Sequence, residues 1–249
     1  MRRVDSVATS PRSLALLLTA AVTPAAVPAL KRLNPAVRAA DYRGALRWWK
    51  DRAALFEQII WLESSGSDLA HAIADSYRDE IVSAVGLVVG FPAHRGKGYG
   101  ETLLLEHAAS MHIDSTHLVK CTGRIRVANA KALLAAVTPS TEIMVRMGKD
   151  LAYVDTRFFV IARPLLDRFL AGLKESIDDE AGVPFERAVA LRVLKLASEG
   201  VRVTFWPTPP RYIGTGGASD RRYDSLAARL KWPVRSVLYR TKRLGDYLA

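Results

Sequence analysis

Nine uncharged residues, Leu14-Ala15-Leu16-Leu17-Leu18-Thr19-Ala20-Ala21-Val22, run without a break and stop at Thr23-Pro24. An apolar run of this length suits a strand buried on both faces, and such strands belong to parallel sheets covered by helices on both sides. Behind Met1-Arg2-Arg3 the same run also has the outline of a secretory leader. Asp5 falls in what would be its basic part, however, and Thr23-Pro24 is a natural strand stop, so the strand is preferred.

The rest of the chain repeats the pattern. Short apolar segments read as strands at 58–62, 84–89, 117–126 (interrupted at Thr122-Gly123), 142–147, 151–154 and 201–205. Between them lie helical patterns at 41–56, 68–77, 102–111, 129–136, from near Pro164 to 173, and 185–198. In the first, Tyr42, Ala45, Leu46, Trp49 and Ala53 share a face while Arg43, Arg47 and Lys50 stay wet. Alternating strands and helices predict an α/β fold: an open, mainly parallel sheet with helices on both faces. Ligands of such sheets bind at the carboxyl ends of the strands. The loops after Val22, Leu62, Val89 and Lys120 are therefore expected to meet at one rim. The organisation predicted is a loose basic leader (1–12), one α/β domain (13–210) and a basic amphipathic tail (211–249).

With 36 Lys and Arg against 25 Asp and Glu, the 249-residue chain carries a formal charge of +11. That favours polyanionic partners: nucleic acid, an anionic membrane or phosphorylated small molecules. No apolar run reaches the roughly 18–20 residues of a spanning helix. The single cysteine, Cys121, excludes a disulfide framework and a cysteine zinc site. The five histidines show no shared ligand spacing, and no metal site is expected. No helix-turn-helix, RNA-recognition or zinc motif supports nucleic-acid binding.

Four segments carry candidate chemistry. In Arg95-Gly96-Lys97-Gly98-Tyr99-Gly100 the glycines let backbone N–H groups approach an anion at a helix start; a flexible turn is the plainer reading. The spacing matches neither a Walker loop nor a dinucleotide fingerprint. Lys120-Cys121-Thr122-Gly123-Arg124 sets two cations beside a glycine, a pair able to neutralise a diphosphate; the alternative is an edge strand with solvated charges. Glu63-Ser64-Ser65-Gly66-Ser67-Asp68 offers acceptors for a base or ribose, or simply caps a helix. Asp155-Thr156-Arg157 and Glu186 supply carboxylates that are surface groups in most proteins.

Taken in order, these segments resemble a group of bacterial polysaccharide-biosynthesis glycosyltransferases, of the O-antigen type, with a GT-A-like fold. The resemblance runs from about residue 14 to 225. It rests on Glu63-Ser64-Ser65-Gly66, Gly96-Lys97-Gly98-Tyr99-Gly100-Glu101 and Thr122-Gly123-Arg124, with the glycines 214, 216 and 217 further on. Such proteins more often have Asn where Ser64 stands and an aromatic where Ile125 stands, and their Asp-x-Asp metal motif is absent here. The resemblance implies sugar transfer from a UDP- or GDP-linked donor to a hydroxyl of a saccharide or lipid-linked saccharide, without a prosthetic group. Thr23, Glu63, Ser65 and Gly66 would hold the nucleotide. Lys120, Gly123 and Arg124, with the backbone of Gly96, Gly98 and Gly100, would hold the diphosphate with no metal required. Glu186, or else Asp155, would take the acceptor's proton. The protein would be cytoplasmic, its basic tail resting on the inner face of an anionic membrane. The glycine segment also resembles the pyrophosphate loop of acyl-CoA N-acetyltransferases, which makes acyl transfer the alternative.

Overall fold

The computed structural model describes residues 11–27, 30–88 and 92–240. Most of the basic leader, Val89 at the end of an expected strand, and tail residues 241–249 lie outside the described residues.

In chain order the elements are β1 (Leu14–Ala20), α1 (Pro35–Lys50), β2 (Gln58–Glu63), α2 (Asp68–Ser76), β3 (Val82–Val85), α3 (Gly96–Ser110), β4 (His117–Thr122) and β5 (Arg126–Val127). There follow α4 (Ala130–Leu134), β6 (Ile143–Val145), β7 (Phe158–Ala162), α5 (Leu166–Leu170), α6 (Phe185–Ser198), β8 (Val203–Phe205), β9 (Tyr212–Ile213) and α7 (Leu226–Arg240). Seven strands form one sheet in the order β3-β2-β1-β4-β7-β6-β8. Strand β7 runs antiparallel to both its neighbours; the other pairings are parallel. The mainly parallel α/β sheet expected from the sequence is the one observed.

Strand β1 lies inside the sheet, between β2 and β4, and all seven of its residues are buried. Its uniform run hides a period of two. Leu14, Leu16 and Leu18 enter the core layer under α1, α2 and α4, whereas Ala15 and Leu17 enter the layer under α3, α5 and α6. A side chain on either face meets a helix, so an apolar residue is needed at every position. Helix α1 starts six residues before the expected Asp41. Asn34 caps it by accepting from the Val37 N–H at 3.1 Å, and Pro35 occupies its first turn, where a missing N–H is harmless. Trp49, on its buried face, donates its indole N–H to the Ile125 carbonyl at 3.0 Å and stacks on Phe158.

Other segments depart from expectation. The predicted 117–126 strand divides at Gly123. Its second part, β5, leaves the main sheet to pair with β9. A Cβ on Gly123 would lie 2.8 Å from the Thr19 carbonyl, so the ends of β1 and β4 come together only because residue 123 has no side chain. Residues 151–154 form no strand, only a bridge from Val154 to Met147. The segment Arg95 to Gly100, expected as a loop, is a short helical turn leading into the first turns of α3.

Candidate active site

The carboxyl ends of β1, β2 and β4 do converge. Two contiguous cavities open there and share Lys97, Glu101, Thr122 and Arg124. The first, about 120 Å³, is bounded by Thr19 to Ala21, Pro24, Arg38, Ser64 and Gly100. The second adds Arg146, Asp155, Arg157, Glu186, Gly216, Gly217 and Tyr223.

The β1–β2 rim is built on Glu63. This carboxylate is fully buried and accepts from the backbone N–H groups of Val22 (2.7 Å), Ser65 (2.8 Å) and Gly66 (2.9 Å) and from the Ser65 hydroxyl (2.6 Å). Ser65 Oγ in turn accepts from the Thr23 N–H at 3.2 Å. Gly66, at φ +62°, approaches Gly86 so closely that a Cβ would stand 3.0 Å away. Thr23, Glu63, Ser65 and Gly66 thus shape the rim through the backbone, and none of them lines either cavity. Ser64, in the same turn, does line the first.

The glycine segment serves packing at two of its three glycines. Gly96, Gly98 and Gly100 are buried. A Cβ on Gly98 would lie 2.3 Å from Phe185 Cβ, and one on Gly96 would collide with Asp179. Two of the three glycines therefore let α3 approach the start of α6 and the loop before it. Arg95 is bound to the carbonyls of Lys174, Glu175 and Ile177. Gly100 alone of the three faces the cleft.

Lys120 forms the floor. Only 1% exposed, its ammonium sits 2.5 Å from Glu101 and donates to the Thr156 carbonyl at 2.6 Å. Glu101 also accepts from the Thr19 hydroxyl at 2.7 Å. Burial pushes the Glu101 carboxyl up, but the charge of Lys120 and its hydrogen bond outweigh that and hold it below the ordinary range. The charge of Lys120 is already neutralised inside the protein, which corrects its expected role against a diphosphate. Next to it, burial pushes the Cys121 thiol up to about 12, leaving it inert.

Arg124 stands in the wall instead. It donates to the Thr215 carbonyl at 2.8 Å. Gly217 passes so close that a Cβ there would be 2.6 Å from the guanidinium. Opposite, Glu186 lies in the first turn of α6, a third exposed, with Lys97 3.7 Å away. Asp155 is a different kind of carboxylate. It receives two bonds of 2.7 Å from Arg157 and one of 3.3 Å from Arg146. Burial acts to raise its pKa, but the bonds and charge of Arg157 dominate and lower it. A carboxylate so held is a poor base, so Asp155 is corrected from proton acceptor to the group that orients Arg157.

The sequence reading missed Lys97, Glu101, Arg146, Arg157 and Tyr223. Arg157 stood in a flagged tripeptide, and its position two residues from Asp155 was the available signal. Arg146 and Tyr223 reach the cleft only through the tertiary fold.

No protein-family model and no curated protein matches this chain. Solved structures do. A nucleotide-diphospho-sugar transferase-like protein from Desulfovibrio desulfuricans superposes with TM-score 0.50 at 11% identity, over 78% of this chain and 79% of that one. This chain has the GT-A-like fold of such proteins. Glucosyl-3-phosphoglycerate synthase from Mycobacterium tuberculosis, solved with Mn2+, UDP and its product, gives 0.47 at 13% identity over 92% and 80%. A cytidylyltransferase from Leptospira borgpetersenii gives 0.47 at 10% over 93% and 99%.

The expectation that no metal is required is withdrawn, because it rested on Lys120, whose charge is taken by Glu101; the second of these structures was solved with Mn2+. The carboxylates facing the cleft, Glu101, Asp155 and Glu186, each have a cation nearby, and no three potential ligands cluster among the described residues. The side chains described do not by themselves compose a metal site.

Proposed function

We propose that the protein transfers a sugar from a nucleotide-diphosphate donor to a hydroxyl of a saccharide or lipid-linked saccharide in cell-surface polysaccharide synthesis. The observation that carries this reading is that Arg124 and Glu186 line one cleft, at the strand ends where open α/β sheets take their ligands. The nucleoside occupies the cavity beside Thr19 to Ala21 and Ser64. The diphosphate lies toward Arg124, a fixed guanidinium aimed where negative charge grows as the sugar leaves. In the step itself the bond from the anomeric carbon to the β-phosphate oxygen breaks. The nucleoside diphosphate departs with the electron pair, the acceptor oxygen bonds the anomeric carbon, and Glu186 takes the hydroxyl proton.

In this reading the transfer domain runs past the expected boundary at residue 210, because Gly216, Gly217 and Tyr223 line its cleft. Helix α7 of the tail rests on an anionic bilayer. Leu226, Leu230 and Val237, at 74%, 70% and 60% exposure, fall on one stripe by their spacing. The chain's charge of +11 supplies the attraction to such a surface. No helix among the described residues is long and apolar enough to cross a membrane. A Leu226→Asp/Leu230→Asp variant is expected to lose binding to phosphatidylglycerol vesicles; unchanged binding rejects the docking.

The test of function is a screen of nucleotide sugars with product analysis. Release of a nucleoside diphosphate supports glycosyl transfer. Release of a sugar phosphate from the nucleotide sugar, or of pyrophosphate from a nucleoside triphosphate offered with a sugar phosphate, assigns nucleotidyl transfer instead, and stabilisation by coenzyme A alone ends both readings.

A further inference from the structure

A third cavity opens on the far side of Arg157, between the segment after β6 and helix α7. Four cations line it: Arg146, Lys149, Arg157 and Arg211. Among the described residues the carboxylate lining it is Asp224, which is buried and accepts from Arg222 at 3.0 Å. Asp155 stands on the cleft side of Arg157.

Arg157 is fixed for recognition. Its guanidinium lies 4.1 Å from the centre of the Tyr212 ring and 4.7 Å from that of Tyr223. Nε and Nη2 are bonded to Asp155, which leaves the Nη1 edge with no hydrogen bond among the described residues. Rings and carboxylate together hold a planar, permanently charged donor in one orientation, so little side-chain entropy is lost when an anion binds. Trp232 supplies an apolar wall, with Arg211 5.8 Å from its ring centre.

The cavity is not isolated. It shares Arg146, Met147, Gly148, Arg157 and Tyr223 with the cleft that holds Glu186. We infer that this third cavity binds a phosphate or diphosphate group carried by the acceptor, and so presents the acceptor's hydroxyl to the neighbouring cleft. The inference rests on the transfer reading for the word acceptor; the anion site itself does not. The acceptor class it selects is a phosphorylated saccharide. Arginine forks suit phosphate oxygens, and the aromatic wall suits the carbon skeleton of the ester. The same chemistry is presented by a soluble sugar phosphate and by a lipid-borne phosphate.

Inorganic pyrophosphate is the probe, titrated by calorimetry into the full chain at low salt. Wild type is expected to bind at two sites. A Lys149→Ala/Arg211→Ala variant, altered at two exposed side chains with an unchanged melting temperature expected, should lose one site or weaken it at least tenfold. Arg124→Ala should lose the other. Wild-type stoichiometry and affinity in the double variant overturn the inference. If the double variant loses a site while Arg124→Ala binds as wild type, the third cavity stands and the donor-cleft reading falls. Phosphatidylcholine vesicles with and without phosphatidic acid then identify the source. Binding that needs both phosphatidic acid and the two cations supports a lipid-borne phosphate; pyrophosphate binding with no such vesicle binding supports a soluble ester.

Discussion

Lys120 and Arg124 stand four residues apart at the end of β4, carry the same charge and belong to one short motif. The fold puts them to opposite uses. Lys120 points beneath the cleft, where Glu101 and the Thr156 carbonyl consume its charge and its donors. Arg124 emerges past Gly123 into the wall, held by one backbone carbonyl and facing open space. The floor is a neutral, rigid ion pair, and the wall made by Arg124, Arg146 and Arg157 keeps donors for a ligand. A cation's function is decided by how many of its donors the fold leaves facing a cavity, and the sequence motif alone does not record that.

The comparison breaks most directly at the wall. Arg124→Ala should lower turnover by about 10²–10³-fold, the usual cost of losing one donor to developing negative charge, while the melting temperature stays near wild type. The floor should behave in reverse. Lys120→Met leaves the Glu101 carboxylate without its partner and is expected to cost about 3 kcal/mol of stability. Lys120→Met/Glu101→Leu should recover most of that loss, because an apolar pair replaces a desolvated ionic one. Denaturant unfolding of the three proteins checks this, and equal stability of single and double variants would place the pair in solvent instead.

Glu186→Gln should reduce turnover about a hundredfold with donor KM unchanged, as measured by initial rates; an unaltered rate removes it as the base. Gly98→Ala tests the packing of α3 on α6. With Phe185 in the way it should destabilise by about 1–3 kcal/mol, and a neutral effect would reopen the anion-loop reading.

The mildest test is acid. Glu101 and Asp155 have depressed pKa values in the folded state. Their stabilisation is therefore complete above the ordinary carboxylate range and is lost as pH falls through the lowered values. The melting temperature should decline below about pH 4.5, less steeply for Lys120→Met/Glu101→Leu than for wild type.

Much of the scaffold was legible in the sequence. The uncharged run from Leu14, the Thr23-Pro24 stop and the strand–helix alternation determine a parallel core, and with it the rim at which the cleft opens. Strand β7 was not. Phe158-Phe159-Val160-Ile161-Ala162 is short and wholly apolar, and such a run fits a helix segment and a buried strand equally by periodicity. The glycines at 96 and 98 misled for a related reason. The absence of a Cβ serves anion approach and helix packing alike, and only Phe185 and Asp179, some 80 residues away, decide between them. Glu63 was found but misassigned. Four donors close around it, and three of those are backbone groups that no residue pattern displays.

The central claim, that the wall around Arg124 grips a nucleotide diphosphate, is most directly tested by measuring UDP and GDP affinity for wild type and Arg124→Ala by calorimetry. One of the two nucleotides should bind wild type and lose at least tenfold in affinity with the substitution. Equal affinity in both proteins, or none in either, would contradict the account.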